Sequence, residues 1–339
     1  MSLAAIPSPE TLLGALVLGA SHGAGDHPLF GKGANGVADA MGPYLPHGPL
    51  PSFYLEFPLS GCPRLDVTCL YGEVSEDAVP ALPNDPGAER LLRWYAPVRD
   101  QFADIGCGLE FDGAEPPLRR VGVHFQPRSH SELVKPFLHA VGTDGLASAY
   151  QRLSQRMPQG WPLSFMGLFD GREASGLRVA GYLSRTEARA CTADPARLSH
   201  AFEEVGFRAF DDAMLQDISH ILHLAPHEVD FQFDLLPDGH VGDTFALDVA
   251  LRPGTPESAR KCMEQEAGRS LCRQLQDWGM ADDRWHHIAD AAWLQALPVQ
   301  DGPLLLLSVM PRWIKIRWKG GTRSTAKGYL RAQAGPFPW

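Results

Sequence analysis

The chain has 339 residues, 44% of them hydrophobic and 21% charged, a globular composition with ample apolar side chain for a sizeable core. Its formal net charge of -10 argues against nonspecific binding to nucleic acid or to an anionic membrane, though not against a local basic pocket. Six cysteines (Cys62, Cys69, Cys107, Cys191, Cys262 and Cys272) lack CxxC spacing and read as reduced thiols of a cytoplasmic protein.

The first element in chain order is an apolar stretch at 12–20, too short to span a bilayer and without the basic flank of a signal peptide. Two glycine-rich runs follow, Gly19-Ala20-Ser21-His22-Gly23-Ala24-Gly25 and Gly31-Lys32-Gly33-Ala34-Asn35-Gly36. They match the spacing of nucleotide loops, but a dinucleotide fold needs parallel βαβ alternation after such a loop. Hairpins follow instead, so residues 1–50 are expected to form an N-terminal helix and loop cap.

From residue 53 onward, paired strand-like runs recur. They lie at 53–57 with 65–71, 106–111 with 119–126, 163–169 with 177–183, 229–235 with 244–251, and 305–318 with 324–332. Short joints such as Asp170-Gly171-Arg172, Pro237-Asp238-Gly239 and Lys319-Gly320-Gly321 favour antiparallel hairpins. Between the pairs, 86–104, 131–157, 198–222 and 256–294 are periodic enough for helices. Asp85-Pro86 and Thr255-Pro256 read as capped helix starts.

Successive strand residues point to opposite faces. Leu177, Val179, Gly181 and Leu183 stand against Arg178 and Tyr182, while Ile314, Ile316 and Trp318 stand against Trp313, Lys315 and Arg317. Val121, Val123 and Phe125 oppose Arg120, His124 and Gln126. The apolar face should meet helices, leaving the other polar in every pair. An open sheet with one wet face fits this pattern, but ten antiparallel strands tend to curl, and closure removes both edges. The expected fold is therefore α+β: five αββ units forming a ten-stranded antiparallel β-barrel ringed by helices. It would be a single domain over 1–339, with the five hairpins and intervening helices at 51–333.

A closed barrel gathers Arg120, Arg178, Lys315, Arg317 and Lys327 in its lumen, with Tyr54, Tyr182, Tyr329 and Trp313. Arg forks and Lys ammonium groups suit phosphate oxygens, and aromatic faces stabilise a cation. Glu56 shares the same face of the first strand as a proton acceptor. The plainer alternative is a solvated face whose cations are offset by Asp66, Glu110, Asp230, Asp234 and Asp248. His286-His287 and the other histidines show no metal spacing, and no Gly-x-Ser-x-Gly elbow is present.

Five αββ units, a polar lumen and Lys327-Gly328-Tyr329 on a strand resemble the ABBA-type aromatic prenyltransferases, including their peptide-modifying bacterial branch. Arg178 with Tyr182 is a looser echo of the same basic-x-Tyr element, and Lys315-Ile316-Arg317 resembles the family's alternating diphosphate-binding cations. Most strands lack the full triplet. The resemblance implies an enzyme of natural-product biosynthesis that moves an allylic group from its diphosphate to an aromatic small molecule or a modified peptide. Arg120, Arg178, Lys315, Arg317 and Lys327 would hold the diphosphate, with Mg2+ an optional companion. Tyr182, Trp313 and Tyr329 would shield the allyl cation, Tyr54 would line the acceptor side, and Glu56 would take the proton. A barrel that binds an anionic small molecule or a peptide without turnover, or a lyase or cyclase using the same lumen, remains the alternative.

Overall fold

The alternation of apolar and polar side chains organises the whole sheet. The computed structural model describes residues 9–23, 26–32, 34–45, 52–72, 79, 82, 85–102, 104–113, 121–169, 176–298 and 304–336, and these described residues build thirteen strands. A two-residue ladder, β1 (Asp26–His27) with β2 (Gly31–Lys32), comes first. Then follow β3 (Ser52–Pro58), β4 (Asp66–Tyr71), β5 (Gly106–Phe111), β6 (Gly122–Gln126), β7 (Leu163–Leu168) and β8 (Leu177–Leu183). The last five are β9 (Val229–Leu235), β10 (Val241–Ala250), β11 (Trp293–Leu297), β12 (Leu305–Lys319) and β13 (Thr322–Pro336).

Strands β3 to β10 pair antiparallel with their neighbours in chain order. The ring closes because β10 also pairs with β12, and β13 joins β12 back to β3. Ten strands thus form a closed antiparallel barrel, as the alternation predicts. β11 lies outside the ring, pairing with the first residues of β12 from Trp293↔Val309 to Leu297↔Leu305. This corrects the helical reading of 256–294, whose last residues are extended.

The apolar face of each strand packs under the helices. Phe53, Leu55, Phe57, Val67, Leu109, Phe125, Val179, Phe231, Phe245, Ile316 and Leu330 are all buried in one continuous core. Phe202 of a covering helix meets Phe207, Phe233 and Phe245 at ring separations of 5.1, 6.0 and 4.9 Å. Burying such aromatic side chains is worth about 2–3 kcal/mol each, which makes this layer the main attractive term.

The helices are shorter than the periodicity suggests. The 198–222 segment is two helices, Ala196–Val205 and Asp212–Leu224, preceded by a third at Arg185–Ala193 capped by Ser184. Gly206, at φ +87°, ends the middle one and donates its N–H to the carbonyl oxygens of Phe202 and Glu203. Thr255 caps Pro256–Gln265 in a reciprocal box with Ser258. Asp85 precedes helix Pro86–Arg99 but does not cap it. Its carboxylate instead accepts from the Tyr44 hydroxyl at 3.1 Å and the Val121 amide at 3.2 Å, tying the helix start to the strand layer.

The N-terminal glycines also depart from the loop reading. Gly19 lies within helix Pro9–Ala20, where an added Cβ would stand 2.3 Å from the Trp293 ring, so glycine permits the close contact with β11. Ala24, Gly25, Gly33, Arg120 and the 170–172 joint lie outside the described residues. Among the described residues no helix is long and apolar enough to cross a membrane.

Candidate functional site

Register places the polar faces opposite one another around the inside of the ring. Tyr329 faces Glu56, Glu56 faces Asp66, Tyr54 faces Thr68, and Thr68 faces Glu110. Across the ring Arg178 faces Asp234, Asp230 faces Asp248, and Asp248 faces Lys315. The lumen holds a cavity of about 1040 Å³ that reaches the end where strands hand over to helices, with Arg128, Ser184, Arg185, Glu228 and Arg252 at its mouth.

Of the residues expected from the sequence, Tyr54, Glu56, Arg178, Tyr182, Trp313, Lys315 and Tyr329 line this cavity. Arg317 and Lys327 do not, although both occupy polar-face positions nearer the β12–β13 turn. Tyr182 is 45% exposed at the mouth, so it cannot wall a reacting centre from water. Tyr329 is deeper, edge-on to Tyr54 at 6.5 Å, with the Lys315 ammonium 5.5 Å from its ring centre and 3.4 Å from its hydroxyl.

The lumen cations stand among carboxylates. Lys327 pairs with Glu56 and, at 3.2 Å, with Asp66. Arg178 pairs with Asp234 at 3.0 Å and lies 4.6 Å over the Phe169 ring. Lys315 stands 3.7 Å from Asp248. Arg317 has a buried Nε with no hydrogen-bond partner.

Burial pushes the Glu56 carboxyl up, but Lys327 and Lys315 together pull it down and the net shift is downward, so Glu56 is a carboxylate. Burial lowers the Lys315 ammonium; Arg178 adds to the shift and Asp248 opposes it. Burial, and after it Arg178, lowers Arg317 as well. Arg178, Lys315 and Arg317 therefore share one sector with the carboxylates Asp234, Asp248 and Glu56. Burial and then Glu56 hold the Tyr329 phenol well above its ordinary value, so it stays neutral.

Several site residues were absent from the sequence candidates. His124 shares a hydrogen bond between its Nε2 and Glu110 at 2.9 Å, both buried, beside the rings of Phe165 and Phe169. Asp230, Gln232 and Asp248 line the cavity on β9 and β10. Their one sequence signal is a place on the polar face of the alternation, where both aspartates read as offsets to the cations and Asp248, with Asp234, also as a carboxylate sharing the lumen with Glu56. Among the described residues no three His, Cys, Asp or Glu side chains converge to hold a metal ion.

No family model matches the chain, and no curated protein matches it in sequence. Solved structures do match in shape. The crystal structure of 5-dimethylallyltryptophan synthase from Streptomyces coelicolor aligns with a TM-score of 0.53 at 14% identity, over 95% of this chain and 97% of that one. The same synthase in complex with DMASPP and Trp aligns at 0.52 and 15% identity, over 98% and 95%. The chain therefore has the fold of the ABBA-type aromatic prenyltransferases, at an identity that marks it as a divergent bearer of that barrel.

Proposed function

We propose that the protein is a prenyltransferase that moves an allylic group from its diphosphate to an aromatic or otherwise electron-rich acceptor. The observation that carries this reading is the pair of cavity-lining cations Arg178 and Lys315, set beside Tyr329 and Glu56 in a barrel with the prenyltransferase fold, with Arg317 nearer the β12–β13 turn. Arg178 and Lys315 line the cavity, and a diphosphate bound there answers the cationic repulsion that adds to burial in lowering Lys315. The same pair stabilises the charge that develops on the leaving diphosphate, which is where fixed charges in a dry site act most strongly.

In the step itself the allylic C–O bond breaks and its electron pair leaves with the diphosphate. The Tyr329 and Tyr54 rings face the resulting allyl cation. A ring carbon of the acceptor forms the new C–C bond, and the proton it then sheds passes to Glu56. A protonated arene is a strong acid, so a carboxylate held below its ordinary pKa by Lys327 still accepts that proton. A modified peptide is an acceptor of the right chemistry, and the open mouth supports room for one.

The test is a thermal-shift titration with dimethylallyl, geranyl and farnesyl thiolodiphosphates, with and without Mg2+, on the wild type and on Lys315→Gln. A stabilisation that the variant loses is expected. With a turnover assay in hand, Glu56→Gln should lower kcat more than diphosphate affinity, and equal losses in both would remove the proton role. The pairing of Arg178, Lys315 and Lys327 with carboxylates favours a second reading, a barrel that binds a ligand without turnover. Diphosphate binding with no pyrophosphate release for any acceptor would select it.

A further inference from the structure

Asp230, Gln232 and Asp248 form a patch of hydrogen-bond acceptors on the cavity wall that is short of donors. Asp230 and Asp248 are register partners across β9 and β10, and Gln232 stands next to Asp230 on the same face. The Gln232 amide donates its NH2 to Asp248 Oδ2. That bond fixes the amide orientation, because the opposite one would set an oxygen against a carboxylate. Gln232 Oε1 is left buried and unpartnered in a side chain that is 8% exposed. Asp248 Oδ1 is likewise buried without a partner.

Neither of the nearby cations Lys315 and Arg312 bonds these two acceptors, although the buried Arg312 Nε is itself without a partner. Lys315 lies on the Oδ2 side of Asp248, at 3.7 Å, and Arg312 stacks over the Trp313 ring at 4.9 Å. Asp230 has no ion pair with either. Its carboxyl is pushed up to about 7, first by burial and then by Asp248, against the pull of Arg312, Lys315 and Arg128. A buried acceptor without a donor costs about 1–3 kcal/mol, and two such atoms beside a crowded carboxyl are retained where a ligand supplies the donors.

We propose that this wall is an ammonium subsite, in which Asp230, Asp248 Oδ1 and Gln232 Oε1 receive a protonated amine carried by the ligand. An ammonium offers three N–H donors and one positive charge, matching three acceptors and an uncompensated carboxylate. Trp313 and Tyr182 line the same cavity and offer faces to the same charge. Identifying that ligand as the acceptor rests on the prenyl-transfer reading, and it narrows the acceptor to an aromatic ring that carries a protonated alkylamine.

The experiment is calorimetric titration without any diphosphate, using tryptamine against tryptophol and phenethylamine against 2-phenylethanol. Each pair differs in ammonium against hydroxyl at matched length. The wild type is expected to prefer the ammonium member of at least one pair by about tenfold or more. Asp230→Asn, which keeps the shape and removes the charge, should bring that preference to within about twofold. Equal affinity for both members of each pair, no binding of either amine, or a preference that survives in Asp230→Asn would overturn the subsite. Because no diphosphate is present, these outcomes stand apart from the thiolodiphosphate titration that tests prenyl transfer.

Discussion

With Glu56 on one side and Asp66 at 3.2 Å on the other, the Lys327 ammonium is shared by two carboxylates withdrawn from water, and Arg64 stands 3.4 Å from Asp66 as a second cation. Removing one member of a buried ion pair leaves the others uncompensated, at a cost of about 3–5 kcal/mol. Lys327→Met should therefore lower the unfolding midpoint in urea strongly, and Glu56→Gln with Lys327→Met should regain part of the loss. Wild-type stability in the single variant would show that Lys327 is free for ligand. Asp230 gives the pH counterpart. Its folded carboxyl titrates at about 7 against 3.8 for the ordinary group, raised by burial and then by Asp248. The folded state thus holds a proton that the unfolded state has released, so stability falls as pH rises through this window. Asp230→Asn should be more stable than wild type above pH 7, and the difference should vanish below 3.8. Thermal unfolding across that range checks the sign. In the sequence, Asp230 and Lys327 were visible as lumen-facing charges, but their partners were not. Pairing depends on which strand lies opposite, and Glu56 and Lys327 are 271 residues apart.

Alternation and turns marked the ring strands, since most bury one face and leave the other polar, although β7 turns Leu163 and Phe165 to the cavity. Helix breaks were harder to read because the apolar period runs on through Gly142 and Gly206, and only the left-handed backbone at those glycines, with φ +80° and +87°, ends the turn. β11 escaped notice for another reason. Its residues Leu294, Gln295 and Ala296 are not packed into the core, so its pairing with β12 is a matter of backbone hydrogen bonds with little side-chain signature. One contact between elements can be tested directly. Asp217 of helix Asp212–Leu224 accepts two bonds from Arg323 at 2.6 Å and one from the Trp318 indole at 3.4 Å, fastening the helix to the β12–β13 hairpin. Arg323 also stacks 4.2 Å over Trp278. Asp217→Ala should cost about 2–4 kcal/mol, because charge-assisted bonds are lost and the Trp318 N–H is left buried. Asp217→Asn should recover part of that. A change under about 0.5 kcal/mol in chemical denaturation would place the helix attachment in the apolar layer alone.

Closure of the ring gives the whole molecule its mechanical logic. In an open sheet the last strand can peel away and expose one new edge. Here each ring strand has two hydrogen-bonded neighbours, and removing any one exposes two edges together with the apolar face that its helix covers. The first and last strands of the ring, β3 and β13, pair with each other from Ala332↔Phe53 to Lys327↔Pro58, so the seam joins the two ends of the barrel sequence. Local unfolding at either end would therefore open the barrel as a whole. We expect a single calorimetric transition for the full chain, with calorimetric and van't Hoff enthalpies equal, despite a length at which many chains divide. Amide exchange should show β3 and β13 protected to the same degree as β7 and β8 on the opposite wall. Two resolved transitions, or a seam that exchanges much faster than that wall, would mean that closure adds little. The lumen would then be held in shape by its ligands more than by its strands, and a diphosphate or an amine would be expected to slow exchange at the seam.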